Sequence, residues 1–312
     1  MPDLIIMVKS TCNILILILL AVSVNAHAVN NTSTTFTFSS SYVIEQAQNG
    51  QAVLDKKPKK ERVKSGKKVT FETFDQSYEK ALKYYNNQQY LSAAGLFEEL
   101  YPLSIGTPRA DTILFLFAHS YYMNADYSMA AFHFRDFVRR YPMSDRTEEA
   151  FYYCISAIYK TCPDYYLDQS NTDYAIEQIK AFIQAYPNNS HIEECNVMLD
   201  DLRNKLARKD LEKMKLYYNT DHFEACQIAA KNFFNEYSYS PLMPEAVYYL
   251  VLNNYEYAKK SVEKKKEERY RACLDACTRM RLNYENSKYF KETDKIEQDV
   301  KKQLEKYSNN NQ

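Results

Sequence analysis

Four stretches, Tyr127–Tyr141, Thr172–Tyr186, Phe223–Tyr237 and Tyr270–Tyr284, each run fourteen positions and carry the same kinds of residue at the same offsets. Three positions after the opening residue stands a small one: Ala130, Ala175, Cys226 or Cys273. Seven after it stands Phe134, Ile179, Ala230 or Cys277, and ten after it Phe137, Phe182, Phe233 or Met280. Offsets of 0, 3, 7 and 10 share one helical face, so each stretch predicts a helix with one packed side. The small residue lets a neighbouring helix approach closely. Tyr90 opens a further copy with Ala93, Phe97 and Leu100, but Tyr101 closes it after eleven positions, so the first unit is expected to be shortened.

Three of these helices are expected to stop at Tyr-Pro (Tyr101-Pro102, Tyr141-Pro142, Tyr186-Pro187), because proline lacks an N–H and restricts the residue before it. Start signals follow. Thr107-Pro108 reads as an N-cap with proline at the first helical position, and Asp145-x-x-Glu148 and Ser190-x-x-Glu193 read as capping boxes. The preceding helices share a small residue with an aromatic three later, as in Ala81/Tyr84 and Ala118/Tyr121. Closing tyrosines lie 40, 45, 51 and 47 residues apart. An insertion at Thr161–Ser170 and long helices at about 190–219 and 242–262 accommodate the excess. The pattern predicts an all-α, tetratricopeptide-like superhelix over 71–306, of about five helix pairs plus a C-terminal capping helix at about 287–306, with a disordered tail at 307–312.

The N-terminus reads as a targeting segment. The apolar run Asn13–Val24 is shorter than a membrane span, and Ala26-His27-Ala28 follows as a small-x-small cleavage pattern. The expectation is a signal peptide at 1–28, with an uncleaved anchor as the alternative. Residues 29–70 have no apolar period and form a basic linker expected to be disordered; 56–68 hold eight basic residues against one acid. That run reads either as solvated linker or as a peripheral contact with anionic lipid.

Forty basic and forty acidic residues leave no net charge, so no nucleic-acid partner is expected. Four glycines form no phosphate-binding loop. His119, His133, His191 and His222 are scattered, and no nucleophile, paired-carboxylate or metal-ligand signature surrounds them. Cys226 and Cys273 occupy the slot that is alanine elsewhere, so they read as small core residues, not as disulfide partners or metal ligands. No enzyme activity, cofactor or metal is expected. A helix-pair array does offer a groove lined by its first helices. Placing the groove positions of the tetratricopeptide family, which the pattern resembles, on the first three pairs gives Tyr78, Leu82 and Tyr85; Phe115, His119 and Tyr122; and Tyr153, Ala157 and Lys160. Each either lines a groove or packs between units. Together they suit an extended apolar-aromatic peptide, with Lys160 placed to meet a free carboxylate.

The segments "YEKALKYYNNQQYLSAAGLFEELYPLSIGTPRAD" (78–111), "DYSMAAFHFRDFVRRYPMSDRTEEAFYYCISAIYK" (126–160), "DYYLDQSNTDYAIEQIKAFIQAYPNNSHIEE" (164–194) and "KKKEERYRACLDACTRMRLNYENSKYFKE" (264–292) resemble the BamD family of outer-membrane assembly lipoproteins, in its Bacteroidetes form. The resemblance implies a non-enzymatic scaffold of the β-barrel assembly machinery, at the periplasmic face of the outer membrane. Its N-terminal repeats would receive targeting strands of unfolded outer-membrane proteins, and its C-terminal repeats would dock on the central barrel subunit. It also implies a lipidated cysteine after the signal's apolar run; this chain has none there, and Cys12 precedes the run. Attachment is then expected through partners and the basic segment, or the start of translation lies elsewhere. The competing expectation is another exported tetratricopeptide adaptor, such as one coordinating cell-wall synthesis with envelope constriction.

Overall fold

The computed structural model describes residues 68–309, and these fold into eleven α-helices with no strand among them. They are α1 (Phe74–Asn86), α2 (Tyr90–Ser104), α3 (Ala110–Met123), α4 (Tyr127–Arg140), α5 (Thr147–Thr161), α6 (Ser170–Ala185), α7 (Ile192–Asn219), α8 (Phe223–Glu236), α9 (Met243–Lys259), α10 (Glu263–Asn283) and α11 (Phe290–Asn309). The signal segment 1–28, residues 29–67 of the linker with its run 56–67, and tail residues 310–312 lie outside the described residues. The last linker residues are held. Val69 is buried, and its N–H donates to Glu99 Oε2 at 2.9 Å.

Two compact units divide the chain, one holding residues up to Cys154 with 181–187, the other 155–180 with Asn188 onward. In the first, α1 packs on α2, α2 on α3 and α3 on α4. In the second, α7 to α11 each pack on the next, with further contacts of α7 with α9 and α9 with α11. Helix on neighbouring helix, pair after pair, is a tetratricopeptide-like all-α arrangement.

The slot residues explain why the helices fit. Ala93, Ala130, Ala175, Cys226 and Cys273 are all 0–1% exposed, as are Phe97, Phe134, Phe137, Phe182 and Phe233. The Cys273 thiol donates to the carbonyl of Val251 on the paired helix α9, with sulfur and oxygen 3.6 Å apart. Backbone and side chain meet there with nothing between them. A larger group in that slot would push the pair apart.

Each unit closes with one repeated turn. Ser144 N–H donates to Tyr141 O (3.1 Å), Ser240 to Tyr237 O (2.9 Å) and Ser287 to Tyr284 O (2.9 Å). Each serine Oγ then accepts from the N–H two residues on, at Arg146, Leu242 and Tyr289. Each serine carbonyl accepts from the residue after that. Asn189 does the same through its side chain, at 2.8 Å from His191 N.

This turn corrects three expectations. In the first unit it is made by Ser104 and Thr107 (2.9 Å), and Ser104 stands fourteen positions after Tyr90. The first unit is therefore of full length. Helix α2 runs through Tyr101-Pro102 instead of ending there. A proline so near the C-terminus costs one backbone bond, and Ser104 Oγ occupies the Tyr101 carbonyl at 2.8 Å. The start signals also move. Helix α3 has Arg109 at its N-cap, α7 has His191 there with no side-chain cap, and α5 starts at Thr147. The Ser, Thr or Asn of the turn already serves the donors that a cap would serve, so the capping boxes are not formed. Similarly, α10 begins seven residues before Tyr270, making the charged run Glu263–Arg269 part of the helix.

Within pairs, the first helix ends on a left-handed residue that is not glycine: Gln88 (φ 60°), Ala125 (φ 60°) and Asp221 (φ 58°). The next N–H reaches back to Tyr84, Tyr121 and Tyr217 carbonyls at 2.8, 3.0 and 2.9 Å. A side chain in this region is strained. Replacing Ala125 by glycine is expected to raise stability by about 0.5–1 kcal/mol, whereas Ala130→Leu should lower it by about 1–3 kcal/mol through overpacking. Urea unfolding followed by circular dichroism checks both.

Candidate functional site

In the first unit, rings from three helices meet. Helix α1 supplies Tyr85 from its last turn, α3 supplies Phe115, His119 and Tyr122 at helical spacing, and the first half of α5 supplies Tyr153. The Tyr85 hydroxyl lies 2.7 Å from His119 Nδ1. The His119 ring meets Tyr153 edge-on at 4.8 Å between centroids and stacks on Phe115 at 6.0 Å. Tyr122 meets Tyr153 at 5.0 Å, and Tyr153 stacks on Phe134 of α4 at 5.5 Å. Phe115 is 3% exposed and forms the floor, whereas Tyr85, His119, Tyr122 and Tyr153 are half-buried.

Other groove positions fall elsewhere. Tyr78 stacks on Phe74 at 6.5 Å, with the Arg109 guanidinium over its ring at 5.6 Å. Leu82 is half-buried on α1. Ala157 is buried and Lys160 exposed, and both belong to the second unit.

Three further residues belong with the cluster. Tyr90 meets Tyr85 edge-on at 5.7 Å, and Tyr127 meets Tyr122 likewise at 5.5 Å. Both open a second helix five residues after the last aromatic of the first, a spacing that marks them in the sequence. Arg146, at the start of α5, holds its guanidinium over the Phe115 ring, 4.9 Å from the centroid. No sequence signal singles it out, since it stands in a turn among other charged residues.

Burial sets the electrostatics here. It pushes the Tyr85 hydroxyl up to about 12, with Tyr90, Tyr153 and Glu149 adding to the rise and Arg146 opposing it. It lowers His119 below its ordinary 6.5, so the ring is neutral at pH 7, and its Nδ1 shares with the Tyr85 hydroxyl a hydrogen bond whose direction follows the imidazole tautomer. The buried cysteines are held as thiols, Cys154 and Cys226 near 12 and Cys195 near 11, again by desolvation. No group of three metal-ligating side chains gathers among the described residues. The second unit carries a cleft of about 930 Å³ lined by Asp173, Glu177, Lys180, Asp200, Arg203 and Glu236, among others. Its rim mixes both signs of charge, and nothing there converges on one ligand chemistry.

The family YfiO, described as outer membrane lipoprotein, matches residues 72–223, a span that includes the whole aromatic cluster. A curated relative from Aquifex aeolicus (strain VF5), provisionally named outer membrane protein assembly factor BamD, is 36% identical over 97 residues. That alignment covers 30% of this chain and 32% of the relative, so the chain matches about a third of the relative's length. Among the described residues no helix is long and apolar enough to cross a membrane.

The first unit should respond to acid through His119. A histidine whose folded pKa is lowered takes up its proton more readily when unfolded, so its stabilising contribution is full above pH 6.5 and lost as pH falls below it. Thermal unfolding is expected to show the midpoint dropping between pH 7 and pH 5, and His119→Gln should flatten that part of the profile.

Proposed function

We propose that this chain is a non-enzymatic scaffold in the assembly of outer-membrane β-barrel proteins, working at the periplasmic face of the outer membrane. The first unit receives the C-terminal targeting strand of an unfolded barrel protein, and the later helix pairs dock on the periplasmic part of the central barrel subunit. The observation that carries this reading is the half-buried cluster of Tyr85, His119, Tyr122 and Tyr153 over Phe115. It lies within residues 72–223, which match the YfiO family, and the Aquifex aeolicus relative is named as an outer membrane protein assembly factor.

The chemistry suits that ligand. Ring edges and faces at 4.8–6.0 Å offer an incoming aromatic side chain T-shaped and stacked contacts of the kind they already make with one another. The tyrosine hydroxyls and the neutral imidazole supply hydrogen bonds for an extended backbone. Burying one aromatic side chain contributes about 2–3 kcal/mol, enough for a transient, handed-on complex.

Two measurements test this. Affinity purification of the full chain from membranes is expected to recover a large outer-membrane barrel protein with periplasmic domains; recovery of cell-wall synthases in its place would overturn the proposal. A Tyr122→Ala/Tyr153→Ala variant should bind a synthetic peptide ending in an aromatic residue at least tenfold more weakly than the parent, while Tyr239→Ala, on a fully exposed turn of the second unit, leaves binding unchanged.

A further inference from the structure

A strand that ends in an aromatic residue also ends in a carboxylate, and the first unit holds a cation with no carboxylate of its own. Arg146 is half-buried with its guanidinium over Phe115, and no described residue forms an ion pair with it. Three other arginines of this unit differ. Arg109 is paired with Asp75 at 2.8 Å, and Arg139 and Arg140 are both paired with Asp136, at 2.5 and 2.7 Å. Glu149 stands one turn along α5 from Arg146, is exposed, and makes no ion pair with it.

The position favours an anion for two further reasons. The guanidinium lies over the Phe115 ring and makes no side-chain hydrogen bond among the described residues, so its N–H groups are available to a ligand. Its place over Phe115, the floor of the cluster, puts cation and rings in one site, where its field at the Tyr85 hydroxyl is opposed by that of Glu149.

We propose that Arg146 is the specificity-determining residue of this site: it holds the C-terminal carboxylate of a peptide whose last side chain lies among Tyr85, His119, Tyr122 and Tyr153. This rests on the peptide-receiving reading above. It assigns to Arg146 the role that spacing alone had given to Lys160. A planar guanidinium engages a carboxylate through two parallel N–H···O bonds, which distinguishes a chain terminus from an internal segment of the same sequence.

The probes are one synthetic ten-residue peptide of alternating apolar and polar residues ending in phenylalanine, prepared as the free acid and as the C-terminal amide. Binding to the full chain is measured by fluorescence anisotropy. The parent is expected to prefer the acid by on the order of tenfold, the worth of a charge-assisted hydrogen bond. Arg146→Gln should bind both forms as weakly as the parent binds the amide, with unchanged helicity by circular dichroism, and Arg146→Lys should recover part of the preference. If Arg146→Gln discriminates as the parent does, or if the parent binds both forms equally, the assignment of Arg146 is overturned while the peptide-receiving reading stands. If the parent binds neither form, that reading falls and the assignment with it.

Discussion

The fold depends on how closely two helices of a pair can approach. At Ala93, Ala130, Ala175, Cys226 and Cys273 the paired helix leaves room for a methyl or a thiol and for little else. The Cys273 thiol against the Val251 carbonyl shows the limit directly. Once that distance is set, the large residues four and seven positions later, such as Phe134 and Phe137, are placed to fill the space beside it. Removing one such phenylalanine would cost about 3–5 kcal/mol. The slot thiols are there for their size: desolvation keeps Cys226 protonated, and a hydrogen bond with Cys277 together with burial does so for Cys273.

Close approach within pairs has a consequence on the other side of the first helices. The aromatic residues of α1 and α3 that do not enter the pair core are brought against one another and against Tyr153. They make a polar-edged aromatic surface instead of a sealed core. Tyr85 and His119 are buried enough for their titration to shift, yet remain half-exposed. The same geometry leaves Arg146 stacked but without an ion-pair partner among the described residues. Shape and recognition thus come from different faces of the same helices.

Helix content, the pairing and the small slot were legible in the sequence because each depends on residues within one helical face. Turns were less legible. The eye is drawn to Tyr101-Pro102 as a stop, but the Ser104–Thr107 turn closes the unit, because a hydrogen-bonded Ser, Thr or Asn followed by a donor two residues on matters more than the proline. Capping boxes at Asp145 and Ser190 were matched by spacing, while the donors they would serve are taken by the preceding turn. Left-handed turns at Gln88, Ala125 and Asp221 carry no glycine to announce them. Of the groove positions, Tyr85, Phe115, His119, Tyr122 and Tyr153 come together because they sit at helical spacing on adjacent helices. Arg146 was hidden because its role comes from stacking on a ring thirty-one positions away in sequence.

The central claim is that the aromatic cluster of the first unit receives the ends of unfolded barrel proteins. Site-specific photocrosslinking in cells tests it most directly, with a photoreactive residue in place of Tyr122 and a control in place of Ile228, an exposed residue of the second unit. The account predicts that Tyr122 crosslinks newly made outer-membrane barrel proteins through their C-terminal segments and that Ile228 does not. Crosslinks to barrel proteins from Ile228 and none from Tyr122 would contradict it.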